Sequence, residues 1–147
     1  MSFSSDIAKA VERYKVGFDD VVAHSLLELS RAIVLATPRD TGRARNNWTA
    51  DVDKVPSQIK TGNQSDTRYM SRIDKKTSEA PGRVFYLVNN LPYIRALEYG
   101  LYGSGPKTSG GFSNQAKSGM VRLSIENYPI FIKNAIDDLT TKKANIL

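Results

Sequence analysis

Apolar positions recur at helical spacing along the first quarter of the chain. Phe3, Ile7, Val11, Tyr14 and Phe18 lie four, four, three and four residues apart, one face of an amphipathic helix. Val21, Val22, Leu26, Leu29, Ile33 and Ala36 continue a similar stripe. Ser4-Ser5-Asp6 supplies a start, with the acid favoured by the positive end of the helix dipole. Residues 5–36 can form one long helix, but Gly17 costs about 1 kcal/mol against Ala in a helix interior. The pattern predicts one helix near 4–16 and a second near 19–36. Thr37-Pro38 ends it, because the residue before a proline is driven out of the helical region.

From 38 to 90 the period changes. Trp48-Thr49-Ala50-Asp51-Val52 alternates and predicts a strand with Trp48, Ala50 and Val52 on one face. Residues 53–82 hold Pro56, Gly62, Asn63, Ser65, Ser71, Ser78, Pro81 and Gly82 among many charges, and predict a long mobile loop with a weak edge strand near 69–73. Arg83-Val84-Phe85-Tyr86-Leu87-Val88 predicts the clearest strand, closed by Asn89-Asn90. Pro92 then sits where a first helical turn tolerates it, and Tyr93, Ile94, Ala96 and Leu97 predict a helix of about two turns ending at Gly100.

Residues 101–119 are rich in glycine and serine and read as a second flexible loop. Val121, Ile125, Tyr128, Ile132, Ile136 and Leu139 restore a helical stripe, kinked or restarted at Pro129. Met120 to Ile125 also alternates, so a strand there stays open. No internal repeat occurs. The fold class these elements predict is α+β: N-terminal helices, a small mainly antiparallel sheet, a short helix, and a C-terminal helix packed on the sheet. With 147 residues the chain fits a single domain, 1–147, able to bury a core without staples.

Composition removes most chemistry. No stretch of eighteen uncharged apolar residues is present, so no transmembrane helix is expected, and the first residues do not resemble a secretory signal. The chain has no cysteine and one histidine, His24. Disulfides, thiolate nucleophiles and multi-histidine metal sites are excluded, and no cofactor is expected. Lys and Arg exceed Asp and Glu by 21 to 15, a net charge of +6. Residues 1–30 carry three basic and five acidic groups, and residues 31–76 carry ten and five. The central segment is the basic part, which suits phosphate, an acidic partner or solubility alone.

No phosphate loop, dinucleotide fingerprint or His-Glu-x-x-His motif occurs. Asp19-Asp20 and Asp137-Asp138 are neighbours on expected helices, pointing about 100° apart, and read as solvated faces. His24 stands one turn before Glu28 and reads as half of a surface pair or as a partly buried histidine. More unusual is Thr37-Pro38-Arg39-Asp40-Thr41-Gly42-Arg43-Ala44-Arg45-Asn46-Asn47-Trp48. Pro38 and Gly42 make a turn, Asp40 and Thr41 can bond amides in it, and Arg43 and Arg45 would share one side of an incoming strand. The arginines are either solvated or pair with carboxylates on a neighbouring subunit.

This string resembles the hallmark of a family of small tail-completion or neck proteins of long-tailed bacteriophages, the head-proximal minor tail components. Two further segments are similar to that family's motifs, in the same order. They are Asn90-x-Pro92-Tyr93-Ile94-Arg95-Ala96-Leu97-Glu98-Tyr99-Gly100 and Gln115-Ala116-Lys117-Ser118-Gly119-Met120-Val121-Arg122. Together the three span roughly 37–122. Lys117 stands where the family usually has proline, and the segments 53–82 and 101–114 match nothing in its pattern.

The resemblance implies a structural virion protein and no enzyme, working in the neck or at the upper end of the tail after assembly in the host cytoplasm. It implies a closed homo-oligomeric ring, a hexamer by the family's habit, that helps complete the tail and makes the head–tail connection. Its partners would be further copies of itself and adjacent neck or tail-tube proteins, with no membrane and with weak contact to DNA in the lumen left open. The alternatives are a tail terminator ring capping the tube and a basic nucleic-acid-binding domain. On this reading the subunit-interface candidates are Asp40, Thr41, Gly42, Arg43, Arg45, Tyr93, Glu98, Tyr99, Gly100, Gln115, Met120 and Arg122. Arg43, Arg45 and Arg122 are expected on one contact surface and Glu98, with Asp137 or Asp138, on the other. Trp48 is expected in the core.

Overall fold

The computed structural model describes residues 3–61 and 66–144. One helix, α1 (Phe3–Ala36), runs unbroken through Gly17 for 34 residues, so the expected division into two helices does not occur. A single glycine costs too little to interrupt a rod that is helical on both sides. At its far end the Thr37 hydroxyl donates to the Ile33 carbonyl at 2.8 Å, and the chain leaves through Pro38.

Residues 43–46 form a short helix, α2 (Arg43–Asn46), where an incoming strand was expected. Strand β1 (Trp48–Val52) follows and pairs antiparallel with β2 (Phe85–Asn89), with Trp48 opposite Asn89 and Val52 opposite Phe85. Between them lies the largest departure from the sequence reading. The segment 53–82 contains a helix, α3 (Asp66–Glu79), in place of a loop or an edge strand. Tyr69, Ile73 and Thr77 form its buried stripe at spacings of four, and the buried Ala80 follows just beyond its end. Residues 53–61 ahead of it are tied down by polar side chains. Asn47 accepts from the Lys60 amide at 2.7 Å and donates to its carbonyl at 3.3 Å, while Asn90 donates to the carbonyls of Pro56 and Gln58.

Helix α4 (Ile94–Tyr99) ends at Gly100, whose φ of 65° is left-handed as expected of a helix stop. The glycine-rich segment 101–119 contains a small hairpin, β3 (Thr108–Ser109) against β4 (Phe112–Ser113), in place of an unstructured loop. Gly110 and Gly111 turn it with φ of 58° and 87°, the double positive φ that a tight two-residue turn demands. Helices α5 (Val121–Glu126) and α6 (Tyr128–Ala144) complete the described residues, and the restart lies beside Pro129. No strand forms at 120–125.

The class is α+β. The helix on the sheet is α3, which packs against β1 and α1; the C-terminal helix lies along α1 instead. Serine 25 of α1 and Tyr128 of α6 share a hydrogen bond of 3.1 Å across that contact. The core gathers Ile33 and Val34 of α1, Trp48 of β1, Tyr69 and Ile73 of α3, Leu91, Leu97 and Met120. Trp48 is 5% exposed, in the core as expected, and its indole N–H donates to the Thr37 hydroxyl at 2.8 Å.

Candidate functional site

The three motif segments come from far apart in the chain, and the fold brings them to one place. The turn after α1 carries the first, α4 the second, and the approach to α5 the third. Two side chains lock them. Gln115 pairs with the Arg39 backbone in both directions, accepting from its amide at 2.8 Å and donating to its carbonyl at 3.1 Å. Glu98 reaches from α4 to the start of α5. Its Oε2 accepts from the amides of Met120 at 2.7 Å and Val121 at 2.8 Å; its Oε1 accepts from the amide and Nε of Arg122, both at 3.0 Å.

The Glu98 arrangement is a helix cap made from a distant carboxylate. The first amides of a helix have no partners within it, and an acid beside them also meets the favourable end of the dipole. Burial pushes the Glu98 carboxyl up, but the amides of Met120, Val121 and Arg122 and the Arg122 guanidinium outweigh it and hold the group below its ordinary range. Arg122 closes the clamp by donating to the Glu98 carbonyl at 2.8 Å and lying 4.7 Å over the Tyr99 ring. Gly119 makes the approach possible. Its φ is +84°, and a Cβ there would stand 2.5 Å from the Glu98 carbonyl oxygen.

This geometry corrects the expected division of charges. Glu98 and Arg122 belong to one clamp inside the chain, so they are not opposite halves of an intersubunit pair. Arg45 is also spent within the chain, donating to the carbonyls of Thr37 and Leu35 at the end of α1, at 2.8 and 2.9 Å. It therefore does not share a face with Arg43. Asp138 lies 3.3 Å from His24 across the α1–α6 contact, so the histidine's neighbour is this residue and not Glu28. Met120 is fully buried and Gly42 is buried, which makes both internal supports. Tyr99 is half exposed beneath Arg122, and Gly100 packs against the Phe112 ring.

What remains open to solvent is a cleft of about 560 Å³ between the first motif, α4 and the hairpin. Ala44, Tyr93, Leu97 and Tyr102 give it apolar surface, and Asp40, Thr41, Arg43, Lys107 and Gln115 stand at its polar parts. Arg43 is exposed, and among the described residues its guanidinium has no partner. Lys107 is 4.0 Å from Asp40, with both side chains 86% exposed, a pair worth little in water. Burial and the neighbouring Tyr93 raise the Tyr102 phenol above its ordinary pKa, so the hydroxyl stays protonated across the neutral range. Tyr102 and Lys107 were not singled out from the sequence, because their glycine-rich surroundings carried no periodic signal.

Among the described residues, no three His, Cys, Asp or Glu side chains are grouped to hold a metal ion, and no helix is long and apolar enough to cross a membrane. The cleft offers cationic and apolar contacts for a ligand surface. No protein-family model, no curated protein and no solved structure matches this chain.

Proposed function

We propose that this chain is a structural subunit of a long-tailed bacteriophage virion, forming a closed ring at the neck or head-proximal end of the tail. The observation that carries the reading is the meeting of the three resembling segments. Residues 37–48, 92–100 and 115–122 meet in the fold, held together by Gln115 and Glu98, and the first two line one cleft with Gln115 and the hairpin. Motifs matched by chance have no reason to meet in space. A second support is the exposed apolar surface: Phe3, Phe18, Leu35, Leu101, Ile125 and Ile130 are each more than half exposed. Covered by a neighbouring subunit, such residues would add apolar area to an assembly.

A ring protomer needs two different complementary surfaces, joined at a rotation that closes. The cleft supplies one, and Arg43 supplies it with a free charge that sets register and partner choice more than affinity. The ring, its position in the virion and its non-enzymatic role form one reading, with the terminator ring as its nearest variant.

Negative-stain imaging of particles from a strain lacking this gene tests it. Filled heads beside unattached tails of normal length are the expected result. Tails of uncontrolled length would move the protein to the terminator ring. Intact, infectious virions would overturn the reading.

A further inference from the structure

The cleft and the tip of α1 sit at opposite ends of one rigid element. Pro38, on the cleft wall, is two residues beyond the end of α1, whereas Phe3 opens that helix. At 1.5 Å per residue the two ends stand about 50 Å apart. The tip of α1 therefore cannot reach the cleft of its own chain.

The two ends are also complementary. Phe3, Asp6 and Ile7 stand three and four residues apart, so they share one face of the first turns, and all three are exposed. Phe3 is 82% exposed and Ile7 48%. This is an apolar pair with a carboxylate between them. The cleft presents the converse: apolar surface from Ala44, Tyr93, Leu97 and Tyr102, with the unpartnered Arg43 guanidinium and the Lys107 ammonium at its mouth. Asp40 opposes one of these cations, leaving Arg43 to meet an incoming acid. A cleft of about 560 Å³ is of the size that takes one compact ligand, which suits a pair of inserted side chains and not a whole helix.

We infer that the α1 tip of one copy seats in the cleft of the next, with Phe3 and Ile7 entering the apolar part and Asp6 pairing with Arg43. The inference deepens the ring reading and rests on it, naming the neighbouring copy as the occupant of the cleft. Contact between unlike ends of the same rod is heterologous. Repeated, it gives a ring where the rotation closes and an open filament where it does not. It also accounts for the exposure of Phe3 and Ile7 in the first turns of α1.

Cross-linking in trans tests it, because the chain contains no cysteine to interfere. Full-length Ile7→Cys and Thr41→Cys proteins, mixed under mild oxidation, are expected to form a mixed disulfide. The control mixes Thr41→Cys with Ile136→Cys, whose position is exposed on α6. The expected yield exceeds that control by about tenfold or more, the scale of a close interfacial charge pair. Adding Asp6→Lys to the first protein, or Arg43→Glu to the second, should each lower the yield. Adding both should restore it, which a role in folding alone would not do. Yield no better than the control, or indifferent to both charge changes, overturns the contact. If wild-type rings are still seen by electron microscopy, that failure falls on the contact and leaves the ring standing. Intact virions without the gene would instead remove the ring reading itself.

Discussion

Replacing Glu98 by glutamine probes the join between the second and third motifs. The carboxylate is 7% exposed and accepts four hydrogen bonds, two on each oxygen. Glutamine keeps the shape but turns one oxygen into an NH₂ donor. If the donor faces Met120 and Val121, one buried and one partly buried amide lose their acceptor. If it faces Arg122, an amide and the guanidinium do. Either orientation removes two charge-assisted bonds and leaves donors opposed, at about 1–3 kcal/mol for each buried donor left without an acceptor. Arg122→Gln should cost far less, about 1 kcal/mol, because its side chain is 53% exposed and the three amides still cap Glu98. Urea denaturation followed by circular dichroism measures both. A Glu98→Gln loss below about 1 kcal/mol, or equal losses for the two variants, would refute the reasoning.

The same clamp sets a pH dependence. The folded-state pKa of Glu98 lies below its ordinary value of 4.5, so its contribution is complete well above that pH. It is lost as pH falls through the lowered folded value. The stability gap between wild type and Glu98→Gln should therefore narrow below about pH 4.5 and stay constant from pH 6 to 8. Asp51 is also held low, by the Lys76 ammonium and the Val52 amide, and it titrates in both proteins alike.

Three further outcomes are expected. Trp48→Ala should destabilise by about 3–5 kcal/mol in the same denaturation assay, since the indole is buried and its N–H holds Thr37. Gly119→Ala should be at least as damaging as Glu98→Gln, because a Cβ at φ +84° collides with the Glu98 carbonyl; Gly42→Ala, at φ +86° but with its nearest neighbour 3.9 Å away, should cost only about 1–2 kcal/mol of backbone strain. Arg43→Glu should leave the melting temperature within a few degrees of wild type but block ring or neck assembly, read by particle imaging. Normal virions from that variant would count against the interface role.

The helical periodicity of residues 4–36, both strands of the main sheet, α4 with its terminal glycine and the restart near Pro129 were legible because periodicity and stop signals agreed there. Gly17 favours a break locally, but its cost is outweighed by the helix on both sides of it. The missed helix α3 was hidden by composition. Its stripe runs through Tyr69, Ile73 and Thr77, and a threonine 1% exposed does not read as core beside so many charges. The hairpin had a signal, Gly110-Gly111 between Thr108-Ser109 and Phe112-Ser113, that the surrounding glycines made look like a linker.

Within the site, the residues were legible and their partners were not. Glu98, Arg122 and Arg45 were singled out as contact residues, yet each is used inside the chain to satisfy helix ends. Orphan amides at α5 and carbonyls at α1 are created by the tertiary path, and a linear reading has no means to pair them with a charge from another element. Arg43 is exposed on the turn, and among the described residues its guanidinium has no partner.

The most direct test of the central claim is where the protein sits in the particle. Immunogold labelling of intact virions produced from the genome that encodes this chain should place gold at the junction of head and tail. Gold absent from purified virions, or distributed along the packaged DNA after gentle lysis, would contradict a structural role at that junction.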